Sequence, residues 1–155
     1  MEFVILWKDE SDFNIKEINM KRLLFVDDDL TAHALLKGML TDWEITSAHS
    51  GTEALEILSQ EYGFIVITDI HMPKMDGIKL LKTIRKEYPM VQVIVLSATD
   101  QSNNLLEAYM AGANDFISKP FNREEIIEAL VNTERKIDRW KNAMSDIYDK
   151  KEKNW

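Results

Sequence analysis

The sequence predicts an α/β fold, a parallel sheet covered on both faces by helices. Three observations predict it. Short apolar runs alternate with helix-patterned segments five times from Lys21 onward. The most apolar runs lack the polar alternation of a half-exposed strand, as strands buried on both faces do. Each run also ends in polar or charged residues just where a helix is due to begin. Strict strand–helix alternation implies parallel strands joined by right-handed crossovers.

The elements follow in order. Leu23-Leu24-Phe25-Val26 is a continuous apolar run that ends in three aspartates, Asp27, Asp28 and Asp29. Ala32, Leu35, Leu36, Met39 and Leu40 then recur at helical spacing, and Asp29 stands where a helix cap is needed. Trp43 to Ala48 alternates as a half-covered strand does. Ser50 and Glu53 form a capping box for a helix carrying Ala54, Leu55 and Leu58. Phe64-Ile65-Val66-Ile67 is the second buried strand and ends at Thr68-Asp69. A loop with Pro73 and Gly77 leads to a helix with Ile78, Leu81, Ile84 and Tyr88, stopped by Pro89. Val91 to Leu96 is the third buried strand, ending at Ser97. Leu105, Ala108 and Tyr109 mark a short helix closed by Gly112. Phe116-Ile117 is a short last strand before Lys119-Pro120, and Asn122 with Glu125 opens the final helix. Five repeats in this length favour a flavodoxin-like doubly wound (βα)5 unit with sheet order 2-1-3-4-5. No glycine-rich phosphate loop follows any strand, which weakens dinucleotide and P-loop readings.

Composition narrows the function classes. The chain has 155 residues, 45% hydrophobic and 30% charged, the balance of one soluble domain with some decoration. With no cysteine, disulfides, thiolate catalysis and cysteine zinc sites are excluded. A formal net charge of −8 argues against direct nucleic-acid binding as the main task. No apolar run approaches the roughly 20 residues that span a bilayer. The run Phe3 to Trp7 is too short even for a signal-peptide core. The expected setting is the cytoplasm, away from any membrane.

Ligands of open parallel sheets bind outside the carboxyl ends of the strands. There the first strand offers Asp27-Asp28-Asp29, the third Asp69, the fourth Ser97-Ala98-Thr99 and the fifth Ser118-Lys119. Strands one, three and four lie side by side in the proposed order, so their ends share one cleft. Carboxylates crowded together hold their protons unless a cation joins them. A hard divalent ion with oxygen ligands, Mg2+ above all and Mn2+ as an alternative, meets that need. The same ion and Lys119 would neutralise a phosphoryl group approached by a carboxylate, while the Ser97 hydroxyl and a backbone N–H hold another oxygen. Any one Asp, Ser or Lys after a strand is more often a cap or a turn residue. The coincidence of four adjacent strand ends carries the inference. His71 either lines the rim of this cleft or stands in solvent, and no second histidine is spaced to form a transition-metal pair.

Leu24 to Asp29, Thr68 to Gly77 (Thr-Asp-Ile-His-Met-Pro-Lys-Met-Asp-Gly), Leu96-Ser97-Ala98 and Gly112 to Phe121 together resemble the receiver domains of two-component response regulators, the CheY-like family. The resemblance runs from about Lys21 to Val131. It implies that Asp69 is the phospho-acceptor, served by a phosphohistidine on a sensor histidine kinase or histidine phosphotransfer protein. It implies that Asp27, Asp28, Asp69 and the main-chain carbonyl of His71 serve Mg2+. It implies that Ser97 is the switch hydroxyl and Phe116 the switch aromatic. Lys119 is then the phosphate-facing lysine, the Ala98 backbone binds phosphate, and the Lys119-Pro120 bond is cis. His71 and Thr99 fall where the family varies and are expected to tune the lifetime of the phosphoryl group. The implied protein is a signalling switch that catalyses its own phosphorylation and dephosphorylation, not a conventional enzyme. The residues name neither a particular kinase nor a particular effector or output.

The expected division is a leader at 1–19, a receiver at 20–132 and a helical extension at 133–155. Ile126, Leu130, Thr133, Ile137, Trp140, Met144 and Ile147 are spaced alternately by four and three, a heptad seam. It suggests a coiled coil, either a homodimerising helix or a linker to an output module. From Asn122 onward eight basic residues balance eight acidic ones, so this is no basic DNA-binding arm. Two other functions compete. One is a phosphorylation-independent interaction module, for which the gathered Asp27, Asp28, Asp69, Ser97 and Lys119 serve no purpose. The other is a magnesium-dependent phosphohydrolase, in which an acid–base Asp usually stands two residues after the nucleophile; here that position is His71.

Overall fold

The computed structural model describes residues 21–98 and 102–152. Thr99 and the apolar run Phe3 to Trp7 lie outside the described residues. Strands β1 (Arg22–Val26), β2 (Glu44–Ala48), β3 (Phe64–Asp69), β4 (Gln92–Ala98) and β5 (Asp115–Lys119) alternate with helices α1 (Leu30–Met39), α2 (Gly51–Gln60), α3 (Gly77–Glu87), α4 (Ser102–Met110) and α5 (Arg123–Glu152). All strand pairs are parallel, and the sheet order is β2-β1-β3-β4-β5, as the alternation predicts. The three runs with least polar alternation, β1, β3 and β4, are the central strands.

Successive side chains of a strand point to opposite faces, and two cores result. On one face Leu24, Val26, Val66, Val93 and Val95 pack with Ala54 and Leu58 of α2, Ile78, Leu81 and Ile84 of α3, and Ala108 of α4. On the other, Leu23, Phe25, Ile65, Ile67, Ile94 and Leu96 meet Ala32 and Leu36 of α1 with Ile126, Ala129 and Leu130 of α5. Three residues counted above among helix-patterned apolar positions face solvent instead, Leu105 among them at 43% exposure. Leu35 is 49% exposed and Tyr109 is 76% exposed. A short helix on a sheet buries one narrow stripe, and Ala32-Leu36-Leu40 and Ala108 already fill it.

Local signals act as the sequence predicts. Asp29 caps α1 by accepting from the Thr31 N–H at 2.9 Å. Ser50 accepts from the Glu53 N–H at 3.1 Å, while the Glu53 carboxylate reaches past the cap to the His49 N–H at 2.6 Å. Asn122 and Glu125 form a reciprocal box, with the Glu125 N–H donating to Asn122 Oδ1 at 2.9 Å. Gly112 closes α4 at φ +91°, a conformation that favours glycine.

Helix α5 runs 30 residues. Ile126, Leu130 and Thr133 are buried and Ile137 packs against the same core. Beyond it the seam emerges, with Trp140 66% and Ile147 56% exposed. No helix among the described residues is long and apolar enough to cross a membrane.

Candidate functional site

The carboxyl ends of β1, β3, β4 and β5 gather the polar residues singled out above. Asp27 follows the last residue of β1 and is fully buried; Asp69 closes β3 and is 7% exposed; Asp28 is exposed at the rim. One carboxylate oxygen from each lies within 4.8 Å of the others. Lys119, the last residue of β5, reaches across so that Nζ stands 3.1 Å from Asp27 Oδ2 and 3.2 Å from Asp69 Oδ1. Register sets up that reach, because Lys119 pairs with Ala98 and Asp69 with Leu96 on the strand between.

The backbone beneath Asp69 is tightly held. Its carbonyl accepts the Thr68 hydroxyl at 2.9 Å, and the Gly77 N–H donates to the next carbonyl, that of Ile70, at 2.8 Å. A Cβ on Gly77 would lie 2.1 Å from the Asp69 carbonyl oxygen, so only glycine lets α3 start this close to the site. Asp76 caps that helix by accepting from the Lys79 N–H at 2.8 Å.

Electrostatics set the protonation balance. Burial raises the Asp69 carboxyl above its ordinary value; attraction to Lys119 opposes this, and Asp27 adds to the rise. Burial alone would lower the Lys119 ammonium, but Asp69 and Asp27 outweigh it and raise the group, so it stays charged. Three carboxylates thus face one ammonium. Their donors are all oxygens, a set that suits a hard divalent cation.

The remaining candidates stand around this centre. Ser97 is fully buried, and its hydroxyl donates to the Ala98 carbonyl at a long 3.4 Å. Ala98 ends β4. Phe116 is half-buried on β5 opposite Val95. The Lys119-Pro120 peptide is cis. His71 is exposed in the loop after β3, its Nε2 3.0 Å from the Asn104 amide nitrogen on α4.

Sequence reasoning missed His33. It is 5% exposed on α1, with Nε2 2.7 Å from the Asp27 carbonyl and Nδ1 3.0 Å from Ser47 Oγ. The signal that could have found it is spacing: His33, Leu36 and Leu40 form one helical stripe, and a histidine on a buried stripe needs polar partners.

Fold and site together define a class, the doubly wound α/β domain with an acidic oxygen-donor centre at the strand ends that flank its topological switch point. The family model "Response regulator receiver domain" matches residues 23–131, and the chain belongs to that family. It is 42% identical over 113 residues to the chemotaxis protein CheY of Thermotoga maritima, covering 71% of this chain and 94% of that one. Among solved structures it resembles a response regulator receiver domain protein from Clostridium thermocellum (TM-score 0.71, 31% identity, 79% of this chain and 98% of that one). It also resembles a structure described as adenylate cyclase from Rhodopirellula baltica (TM-score 0.76, 27% identity, 83% of this chain and 97% of that one).

Proposed function

We propose that the receiver takes its phosphoryl group on Asp69 from a phosphohistidine of a sensor histidine kinase or histidine phosphotransfer protein. The observation that carries this reading is the buried Asp69 carboxylate, 3.2 Å from the Lys119 ammonium and clustered with Asp27 and Asp28. An Asp69 oxygen forms the new bond to phosphorus as the donor's P–N bond breaks, and the electron pair of that bond stays on the imidazole. Lys119 offsets charge on the incoming oxygens, and the Ser97 hydroxyl with the Ala98 N–H binds another. Asp27, Asp28, Asp69 and the His71 carbonyl would hold Mg2+ or Mn2+, which supplies positive charge beside the phosphoryl oxygens.

The output is a population shift. Phosphate recruits the Ser97 hydroxyl away from its long bond to the Ala98 carbonyl, and half-buried Phe116 turns inward as Ser97 moves. The receiver then spans 20–132 and works in the cytoplasm. The extension 133–155 carries an association seam through Trp140, Met144 and Ile147, for a second copy or a linked output module. His71 and Thr99 tune the lifetime of the phosphoryl group.

Intact-mass spectrometry after incubation with acetyl phosphate and Mg2+ tests the reading. A gain of about 80 Da, one phosphoryl group, is expected in the wild type and absent in Asp69→Ala. No gain in a folded wild type would favour a phosphorylation-independent interaction module.

A further inference from the structure

His33 bonds the backbone from which the acidic pair projects. A carbonyl oxygen can only accept, so the 2.7 Å contact with Asp27 requires the proton on Nε2. In the neutral ring Nδ1 then accepts from the Ser47 hydroxyl at 3.0 Å. The ring is wedged edge-on against Phe25 at 4.7 Å between centroids and tilted against His49 at 4.5 Å. Its position on α1 is therefore fixed by three neighbours: β1 with the residue after it, β2, and the turn before α2.

The rest of Asp27 is also tied. Its N–H donates to the Ala48 carbonyl at 3.1 Å. Its carboxylate accepts the Asp29 N–H at 2.9 Å and the Lys119 ammonium at 3.1 Å. The carbonyl held by His33 belongs to the peptide plane joining Asp27 to Asp28. Rotation of that plane would re-aim the exposed Asp28 side chain without disturbing the buried Asp27 carboxylate.

We propose that His33 is a positioning residue for the acidic pair: its Nε2–H bond fixes the Asp27–Asp28 peptide plane and so sets the affinity of the cluster for a divalent cation. The inference rests on the cation role proposed above for Asp27, Asp28 and Asp69. Groups that orient metal ligands from behind commonly change metal affinity 10- to 100-fold when removed.

The test is Mg2+ titration of the unphosphorylated protein, followed by calorimetry and by the Asp28 amide resonance, on wild type and three variants. His33→Leu keeps apolar volume against Phe25 and removes the donor; Mg2+ affinity is expected to fall about tenfold. His33→Gln places an amide N–H near the Nε2 position and is expected to restore affinity to within about threefold. His33→Asn reaches only the Nδ1 position and is expected to resemble Leu. The same pattern should appear in phosphorylation by acetyl phosphate as a raised half-saturating Mg2+ concentration with an unchanged plateau rate. Equal Mg2+ affinity in wild type, Leu and Asn variants overturns the proposal. If Leu fails to fold, equal affinity of Gln and Asn overturns it alone. A wild type that binds no Mg2+ removes the cation reading of the cluster, and this inference with it.

Discussion

The two ends of the sheet treat charge in opposite ways. At the amino end Arg22 meets Glu44 at 3.3 Å, Glu61 and the Tyr62 carbonyl, and its guanidinium lies over the Phe64 ring. Arg85 donates to the carbonyls of Gly112 (2.8 Å) and Val91 and to Asn114, which also accepts the Val93 N–H and bonds Gln92. Burial lowers the Arg85 guanidinium, but three acceptors surround it. At the carboxyl end three carboxylates crowd one lysine. The first arrangement satisfies its charges internally and ties loops together. The second leaves negative charge in excess, the cost of the centre to which the cation and phosphoryl roles are assigned above.

The largest effect should come from shape. Gly77→Ala should destabilise by about 3 kcal/mol, because a Cβ cannot share space with the Asp69 backbone. Urea denaturation reads this, and phosphoryl uptake should fall with it. Next comes Arg85→Met at the opposite end, expected to cost about 2 kcal/mol through several lost hydrogen bonds from a charged donor. Thermal unfolding with unchanged Mg2+ affinity would assign that loss to the amino end alone.

Asp69→Asn should act with the opposite sign. The Asp69 carboxyl is raised when folded, so its contribution is most favourable below the ordinary carboxylate value of 3.8 and is lost as pH rises through the raised value. At neutral pH without metal, the variant should therefore be more stable than wild type by about 1 kcal/mol. The advantage should shrink toward pH 4 and reverse when Mg2+ is added. A destabilised Asp69→Asn across this range would erase the contrast between the two ends.

The smallest effect concerns α5. On a heptad through Ile137, Trp140, Met144 and Ile147, Lys136 and Lys141 flank the seam and face each other across a parallel self-pair. Self-association should therefore strengthen as salt rises, by a few tenths of a kcal/mol per pair. Sedimentation equilibrium at low and high ionic strength measures it, and weakening with salt would point to an oppositely charged partner helix.

The fold was legible because β1, β3 and β4 are apolar enough to be buried on both faces and because the alternation leaves little topological choice. The gathering of polar groups was legible because Asp27, Asp69, Ser97 and Lys119 each lie at or within one residue of a strand end, where chain order alone brings them to the cleft. What escaped depends on tertiary partners. Spacing puts His33 on the buried stripe of α1, but its partners, Ser47 and the Asp27 carbonyl, appear only when that helix is laid on the sheet. The Arg85 knot joins α3 to two segments on either side of α4 and β4, and nothing in its neighbourhood announces this. Leu35, Leu105 and Tyr109 are apolar without being core, since helical spacing gives a stripe but not its width.

Helix α5 starts four residues after Lys119, the residue whose ammonium spans Asp27 and Asp69. From Ile137, where contact with the core ends, to Glu152 it rises about 22 Å at ~1.5 Å per residue. The stretch beyond the core is a lever arm: a tilt of about 10° at its root would carry its tip about 4 Å by the same helical rise. A small tilt at the root, if the charged cleft produced one, would thereby become a displacement of several ångströms at the tip.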